Sequence, residues 1–347
     1  MTNDRAMSER GRAVEQSRIR HYRGFSAPSA SALLALVLLL LPWAGTRADE
    51  GGVPFWFSGQ FASLAAVPAT PGWTLPMQGY YYDGDASRSK PFTRGDSVTA
   101  GLKSRAALLL AQPTYAPDSK ALGGQLALGV GFGYGTNTTE AEVTLSPRGS
   151  ESNRSDTVWG FTDLYPVASL AWSSGNHNWM TYLTGDIPVG AYDSKRLANI
   201  GIGHGAIDAG GGYTYLNNQN GREFSAVAGV TYNFENTSTN YKNGIDSHLD
   251  WAASQFLSEN WEVGIVGYVY YQLTGDSGSG AKLGSFESKV ASVGPEVGYA
   301  FTIGGLPAYF NLRGYWEFWA ENRIKGEAVF ATLVIPLGPR KATGGSH

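Results

Sequence analysis

The stretch LGGQLALGVGFGY, residues 122–134, alternates between two kinds of side chain. Apart from Gly124, its even positions are apolar or aromatic, and its odd positions hold only Gly, Gln and Ala. Because successive side chains of a β-strand point to opposite faces, the stretch predicts a strand with one apolar face and one small or polar face. It is much longer than the roughly five or six residues of a typical strand in a soluble sheet.

The same alternation recurs in the segments 245–257, 261–273 and 308–318. A soluble β-sandwich is the alternative, since its strands alternate too. Two features favour a membrane barrel: charged residues occur in mid-strand opposite the apolar face, and aromatic residues cluster on the apolar face beside short turns. These aromatic residues are Trp172, Trp179, Tyr215, Trp261 and Phe301. The pattern predicts an all-β fold, a transmembrane antiparallel up-and-down β-barrel.

The connections between the segments predict the number of strands. From residue 173 onward, short turns alternate with longer polar connections, as in barrels with short periplasmic turns and longer outer loops. The short turns are 173–176, 217–220, 258–260 and 304–306, and the longer connections are 190–204, 235–243, 274–285 and 320–326. The alternation extends towards the N-terminus if 120–147 is one long strand, bent near Gly133–Gly135. With first strands at 72–84 and 98–112, this predicts twelve strands and periplasmic termini; ten or fourteen remain open.

The N-terminal part of the chain predicts export. Arg18, Arg20, His21 and Arg23 precede the apolar run Leu33–Leu41, and Thr46-Arg47-Ala48 forms a small-x-small cleavage site. The apolar run is too short to span a bilayer, which takes roughly 20 residues. We therefore expect residues 1–48 to be an N-terminal extension and signal peptide, with Met7 as a second possible start.

The remaining regions are assigned by their patterns. Residues 49–71 do not alternate, and we interpret them as a periplasmic lead-in, with a short segment tucked into the barrel mouth as the alternative. Residues 72–337 form the predicted barrel, and 338–347 are expected to be a disordered tail. The last strand ends in ATLVIP, and its nearest aromatic residue is Phe330, so the terminal signal for the barrel-assembly machinery is weak.

Composition excludes some functions. Charged residues make up 16% of the chain, against about 25% in ordinary soluble domains, and the net charge is −3. Nothing therefore suggests a nucleic-acid partner. The chain has no Cys, which suits a protein that crosses the oxidising periplasm. We expect no catalytic residues, cofactor or metal, and the sequence does not predict an oligomeric state.

Long motifs carry a family resemblance over nearly all of the predicted mature chain. They are PFWFSGQFASLAAVPATPGW (54–73), GFTDLYPVASLAW (160–172), NHNWMTYLTGDIPVGAYD (176–193), RLANIGIGHGAIDAGGGYTY (196–215), EFSAVAGVTYNFEN (223–236), HLDWAASQF (248–256) and VGYVYYQLTGDSGSG (266–280). The chain resembles the outer-membrane family labelled "MetA-pathway of phenol degradation". The resemblance implies an outer-membrane barrel that moves small organic, often aromatic, compounds; it implies no catalytic residues.

If the apolar face meets lipid, the opposite face lines the lumen. The predicted lumen-lining residues are Lys103, Arg105, Asp163, Asp186, Asp208, Glu223, Asp246, His248, Asp250, Glu262, Glu296, Arg313 and Glu317. Such an acidic lumen would favour cations or neutral solutes over anions. The alternative is a network of ion pairs and hydrogen bonds that braces the barrel, since a lumen of twelve strands lies between filled and open sizes.

Aromatic residues are expected on the inner face too, where they would stack on an aromatic solute or fill space. They are Trp159, Phe161, Tyr165, Tyr182, Tyr268, Tyr270 and Tyr315. The function that follows is a passive channel for small organic, including aromatic or hydrophobic, molecules across the outer membrane of a Gram-negative bacterium. The alternatives are a non-transporting barrel (a sensor, adhesin or structural anchor) and, least favoured, a hydrolase built around His248.

Overall fold

The computed structural model describes residues 52–94 and 97–338; the predicted signal peptide and nearly all of the C-terminal tail lie outside this range. Fourteen strands make up one antiparallel sheet. They are β1 (Gly72–Arg94), β2 (Ser97–Ala111), β3 (Thr114–Ala116), β4 (Gln125–Ser146), β5 (Gly149–Phe161), β6 (Tyr165–Ser174), β7 (His177–Asp186), β8 (Ala206–Asn217), β9 (Arg222–Asn233), β10 (Asp246–Phe256), β11 (Trp261–Gln272), β12 (Lys289–Ile303), β13 (Leu306–Glu321) and β14 (Lys325–Pro336). No helix within the described ranges is long and apolar enough to cross a membrane.

The sheet closes on itself because β1 pairs with β14 over Thr74–Asp85. Two strands of the ring are each divided in two: β3 continues β2 after Gln112-Pro113, and β6 continues β5 after 162–164. Proline has no N–H for the ladder, which explains the first division. Counting each divided strand once gives twelve strands, and the predicted twelve-stranded transmembrane barrel is confirmed. The predicted long strand is β4, which is 22 residues long.

The division between β5 and β6 changes the direction of side chains. β4 pairs with β5 down to Tyr134 and with β6 from Gly131, and at the junction the Thr162 hydroxyl accepts the Gly133 N–H at 2.8 Å. The inner-face residues of β5 are even-numbered, whereas those of β6 are odd-numbered. Trp159 and Phe161 are consequently 64% and 67% exposed on the outer face. The expectation that these two rings point inward is therefore wrong.

The outer face forms an apolar band between two rows of aromatic residues. On β11, the exposed Trp261 and Tyr271 lie ten residues apart, with Val263, Ile265 and Val269 between them on the same face. At about 3.3 Å per residue and a strand tilt of about 40°, these rings are about 25 Å apart along the barrel axis, which is the height expected of a lipid-facing band. The short turns after β6, β8, β10 and β12 lie at one end of the barrel, which we call the turn end. The long loops after β7, β9 and β11 lie at the other end, which we call the loop end.

β1, β2, β4 and β5 extend past this band at the loop end and form a projecting sheet. Along β2 the outer face changes from Leu109 and Ala107 to the exposed Arg105 and Lys103, which pair with Glu140 at 2.7 Å and Asp83 at 4.0 Å. The prediction that Lys103 and Arg105 line the lumen is therefore wrong. Its premise, that apolar side chains face lipid, fails where a strand leaves the membrane and packs inward on protein.

The N-terminal segment lies inside the barrel. Residues 52–66, which we call the plug, form turns rather than strands, and Trp56, Phe57 and Ala66 are at most 5% exposed. Gly59 has a φ of +86°, and a Cβ there would lie 2.7 Å from the Tyr315 ring, so only glycine fits against this wall residue. These contacts mean that the interpretation of 49–71 as a periplasmic lead-in is wrong for residues 52–66. They fit the alternative, a short segment tucked into the barrel mouth.

Candidate functional site: the stoppered lumen

Carboxylates of the barrel wall hold the plug. Asp250 of β10 accepts the Gly59 N–H at 2.8 Å and the Phe61 N–H at 3.2 Å, one on each oxygen. Glu223 of β9 accepts the Leu64 N–H at 2.9 Å. The Ser63 hydroxyl lies 2.5 Å from Glu296 Oε1 and 3.0 Å from Glu223 Oε2. Alternation places these acids on the inner face, where ionised oxygens make stronger hydrogen bonds to backbone N–H groups than neutral acceptors do.

Arg313 of β13 binds the plug from the other side. Its Nε donates to the Gly59 carbonyl at 3.0 Å and its Nη2 to the Gln60 carbonyl at 2.7 Å. Its Nη1 donates to Asn311 and Thr332 of the wall. The plug's chain bend at 59–61 is therefore held through both its N–H and its carbonyl groups.

His248 supports the plug through its ring. The imidazole stacks on the Trp56 indole, with centroids 3.4 Å apart, and its Nε2 lies 2.9 Å from Asp208 Oδ2. Tyr182 and Phe61 flank the same indole at 5.9 Å each. His248 is 4% exposed, and its described hydrogen bonds go to Asp208 and Tyr182, with no serine among them. This arrangement braces the plug and does not resemble a hydrolytic triad.

A loop closes the lumen from the opposite end. Residues 187–205, which we call the lid, bury Leu197, Ala198 and Ile200 in the same hydrophobic core as Phe57 of the plug. Asp163, at the junction of β5 and β6, accepts the N–H groups of Gly190 at 2.7 Å and Ile202 at 2.9 Å. The lid and plug meet where the Val53 N–H donates to the Ile200 carbonyl at 3.2 Å. Together they stopper the lumen.

The projecting sheet holds the tip of the lid. Asp156 of β5 receives two hydrogen bonds from Arg196, at 2.6 and 3.1 Å, and accepts the Leu197 and Ala198 N–H groups. Partial burial alone would raise the pKa of Asp156, but these bonds outweigh burial and lower the pKa below its ordinary value of 3.8. Asp156 therefore stays ionised, and the lid stays attached, well below neutral pH.

The remaining predicted acids are buried against the wall itself. Asn233 donates to Asp246 at 2.7 Å, Tyr309 to Glu262 at 2.6 Å, and both Tyr82 and Tyr268 to Glu317. Asp186 is buried at the end of β7. Eleven of the thirteen predicted residues thus lie on or beside the inner face, Lys103 and Arg105 being the two that do not. The predicted inward rings Tyr165, Tyr182, Tyr268, Tyr270 and Tyr315 are also buried or half-buried there.

A cavity of about 490 Å³ remains between the plug and one side of the wall. It is bordered by residues of β1, β2, β3, β4, β6, β7, β13 and β14 towards the turn end. A second cavity, of about 70 Å³, lies further towards the loop end, and Trp56 borders both. Trp56 therefore separates the two spaces. Of the predicted lumen-lining residues, only Arg313 borders the larger cavity.

Sequence reasoning missed several residues of this site. Trp56, Phe61 and Ser63 lie in a segment without periodicity, so no pattern gave them a direction. Arg323 lies in the predicted connection 320–326, yet it turns towards the interior and lies 5.2 Å from the centre of the Tyr270 ring. Asp156 and Arg196 are forty residues apart. Only the resemblance, whose motif at 196–215 includes much of the lid, drew attention to this region.

Two solved structures are similar to this chain. The solved structure of the COG4313 outer membrane channel from Pseudomonas putida F1 superposes with a TM-score of 0.61 and 11% identity, covering 82% of this chain and 99% of that one. The beta domain of the Bordetella autotransporter BrkA gives a TM-score of 0.43 and 12% identity, covering 77% and 100%. At such identities the first likeness shows a common fold alone. No curated protein matched the chain.

The family comparison covers most of the barrel. The model of the family described as "Putative MetA-pathway of phenol degradation" matches residues 86–333, which reach from β1 to β14. The match excludes the plug but includes the lid and the acids that hold the plug. The chain is therefore a transmembrane β-barrel that belongs to this family.

Proposed function

We propose that the protein is an outer-membrane channel that lets small organic molecules, including aromatic or hydrophobic ones, cross by passive diffusion. The observation that carries the proposal is the way the lumen is closed. A barrel of eight strands is filled by wall side chains, whereas this wider one is closed by two non-strand segments, the plug and the lid, and keeps a cavity of about 490 Å³. Segments of this kind can move while the wall stays paired.

The membrane and the route of export belong to the same proposal. Closed barrels with an apolar band between aromatic rows are the form that spans bacterial outer membranes. Residues 1–48 would be removed as a signal peptide and the barrel-assembly machinery would insert the strands. N-terminal sequencing of the membrane-extracted protein tests the cleavage, with Asp49 as the expected first residue.

A locked variant tests diffusion directly. The natural chain has no Cys, so Val53→Cys with Ile200→Cys places a removable cross-link between plug and lid. We expect liposomes with the reduced variant to take up labelled phenyl glucoside, an uncharged aromatic solute that crosses lipid slowly, faster than protein-free liposomes, and oxidation to abolish the difference. Val53→Cys alone, treated with the same oxidant, is the matched control. Equal uptake with and without protein would contradict the channel.

The alternative function is a barrel that transports nothing and serves as a sensor, adhesin or anchor. The hydrogen bond between Val53 and Ile200 favours it, because a plug and a lid that stay joined would keep the lumen shut. A silent planar bilayer at high protein density, together with unchanged solute uptake in a deletion strain, would support this alternative.

A further inference from the structure

At the level of the larger cavity, the interior of the barrel has a side with carboxylates, the acidic side, and a side without them, the neutral side; the buried Asp186 of β7 and Glu317 of β13 lie nearer the loop end. The inner faces of β8 to β12 carry the acidic side, and its buried carboxylates are Asp208, Glu223, Asp246, Asp250, Glu262 and Glu296. The larger cavity borders none of these five strands. Its wall residues come from β1, β2, β3, β4, β6, β7, β13 and β14. The plug therefore lies against the acidic side and leaves its free space on the neutral side.

The cavity offers no charged partner to a solute. Within the described ranges, its lining contains no Asp or Glu, and its one Arg is Arg313. Each nitrogen of that guanidinium already donates to an oxygen of the plug or the wall. A cation entering this space would lose hydration without meeting a carboxylate, and an anion would find the N–H groups of Arg313 already donated.

The lining does offer flat apolar surface with neutral hydrogen-bonding groups. Phe61 and Tyr165 supply rings, and Gln78 and Gln112 supply amides. Trp56 is 5% exposed, and its Nε1 is buried without a hydrogen-bond partner among the described residues. Because this nitrogen is not reached from the open space, an oxygen atom of a solute would accept instead from the amide N–H groups of Gln78 or Gln112, which border the cavity.

We propose that the cavity is a binding site for uncharged solutes that combine a compact apolar body with an oxygen acceptor. Glu223, Asp250 and Glu296 then serve to hold the plug, and the carboxylates of β8 to β12 do not select cations. This inference rests on the proposed channel function, and it replaces the acidic filter that the sequence suggested with a neutral one. The volume of about 490 Å³ accommodates a molecule of one or two rings.

Three probes of one framework test the site by binding alone: benzyl alcohol, benzylammonium and benzoate. Purified protein in detergent micelles at pH 7.5 is titrated with each probe, and binding is followed by saturation-transfer NMR of the probe. We expect benzyl alcohol to bind at least tenfold more tightly than either ion. Tightest binding of benzylammonium would overturn the proposal and restore the acidic filter.

A filled cavity gives the second measurement. Ala127 of β4 borders the cavity, whereas Ala107 of β2 is exposed on the outer face. Ala127→Phe is expected to weaken benzyl alcohol binding at least tenfold, and Ala107→Phe to leave it unchanged. Unchanged binding in a folded, heat-modifiable Ala127→Phe barrel would overturn the proposal. Binding without uptake into liposomes would refute the channel alone, and uptake with a preference for benzylammonium would refute this site alone.

Discussion

Replacing Asp250 with Asn is expected to loosen the plug by a predictable amount. In the native protein both carboxylate oxygens accept plug N–H groups, those of Gly59 and Phe61, at 2.8 and 3.2 Å. Hydrogen bonds to a charged group contribute about 1.5–3 kcal/mol each, and neutral ones about 0.5–1.5 kcal/mol. Asn keeps one neutral acceptor and turns an NH₂ towards the other N–H. The attachment therefore weakens by about 3 kcal/mol, which is roughly a hundredfold in the ratio of docked to undocked plug.

Thiol labelling measures that ratio. Ala62 is 9% exposed within the plug, and the chain has no native Cys, so Ala62→Cys reacts with a polyethylene glycol maleimide, which is too large for the cavity beside residue 62, only when the plug undocks. At pH 8 we expect the Asp250→Asn background to label about a hundredfold faster. In planar bilayers the same variant is expected to open more often than the native protein, although Glu223, Arg313 and Thr214, whose hydroxyl accepts the Ala66 N–H at 2.9 Å, still hold the plug.

Glu317→Gln is the matched control. Glu317 is a buried inner-face carboxylate that accepts Tyr82, Tyr268 and the Gly326 N–H, and none of its described bonds goes to the plug. It should leave the Ala62→Cys labelling rate unchanged. Equal acceleration in both variants would mean that general loosening of the barrel, and not loss of the Asp250 contacts, exposes residue 62. An unchanged rate in Asp250→Asn would refute the holding role.

Three further predictions concern the lid, the outer face and the wall. Arg196→Ala should speed maleimide labelling of Ala198→Cys in the lid. With Arg196 intact, the labelling rate divided by that of a free thiol at the same pH should stay low at neutral and mildly acidic pH, and it should rise only as the pH falls through the lowered pKa of Asp156. Lys103→Ala with Arg105→Ala should leave the reversal potential in a salt gradient unchanged, because both side chains face outward; a shift towards cations would contradict this placement. Gly229→Ala should lower the free energy of unfolding by about 1–3 kcal/mol, since its Cβ would lie 2.1 Å from the Tyr182 hydroxyl, whereas Gly79→Ala, with nothing nearer than 3.8 Å, should not.

The sequence predicts the strands of the barrel wall far better than it predicts the plug and the lid inside them. Along β10, strict alternation places Asp246, His248 and Asp250 on one face, and the structure buries all three inside. Period-two arguments hold because a strand paired on both sides has only two directions for its side chains. They fail at Trp159 and Phe161, because the division at 162–164 changes which residue numbers point inward. No residue type in that stretch indicates the change.

The positions of the plug and the lid are not predicted by the sequence, because they depend on contacts between residues that lie far apart in the chain. Ser63 meets Glu296 across more than two hundred residues, and no local pattern links them. The same limit explains the misassigned charges at Lys103 and Arg105. Their strand continues beyond the lipid band, and there the apolar face packs on Leu197 and other residues of the lid. Polarity alone does not tell lipid from a protein-filled interior.

The width of the barrel explains why a plug and a lid are needed at all. Wall side chains fill a ring of eight strands, and sixteen or more leave a water-filled channel. At twelve strands the wall alone closes nothing, and the chain adds residues 52–66 and 187–205 to the interior. A wall side chain cannot leave without breaking the strand that carries it, but these two segments belong to no strand and are held by separate contacts at Asp250, Asp163 and Asp156. A closed lumen built this way is one that can open, and this favours a channel over a permanently filled barrel.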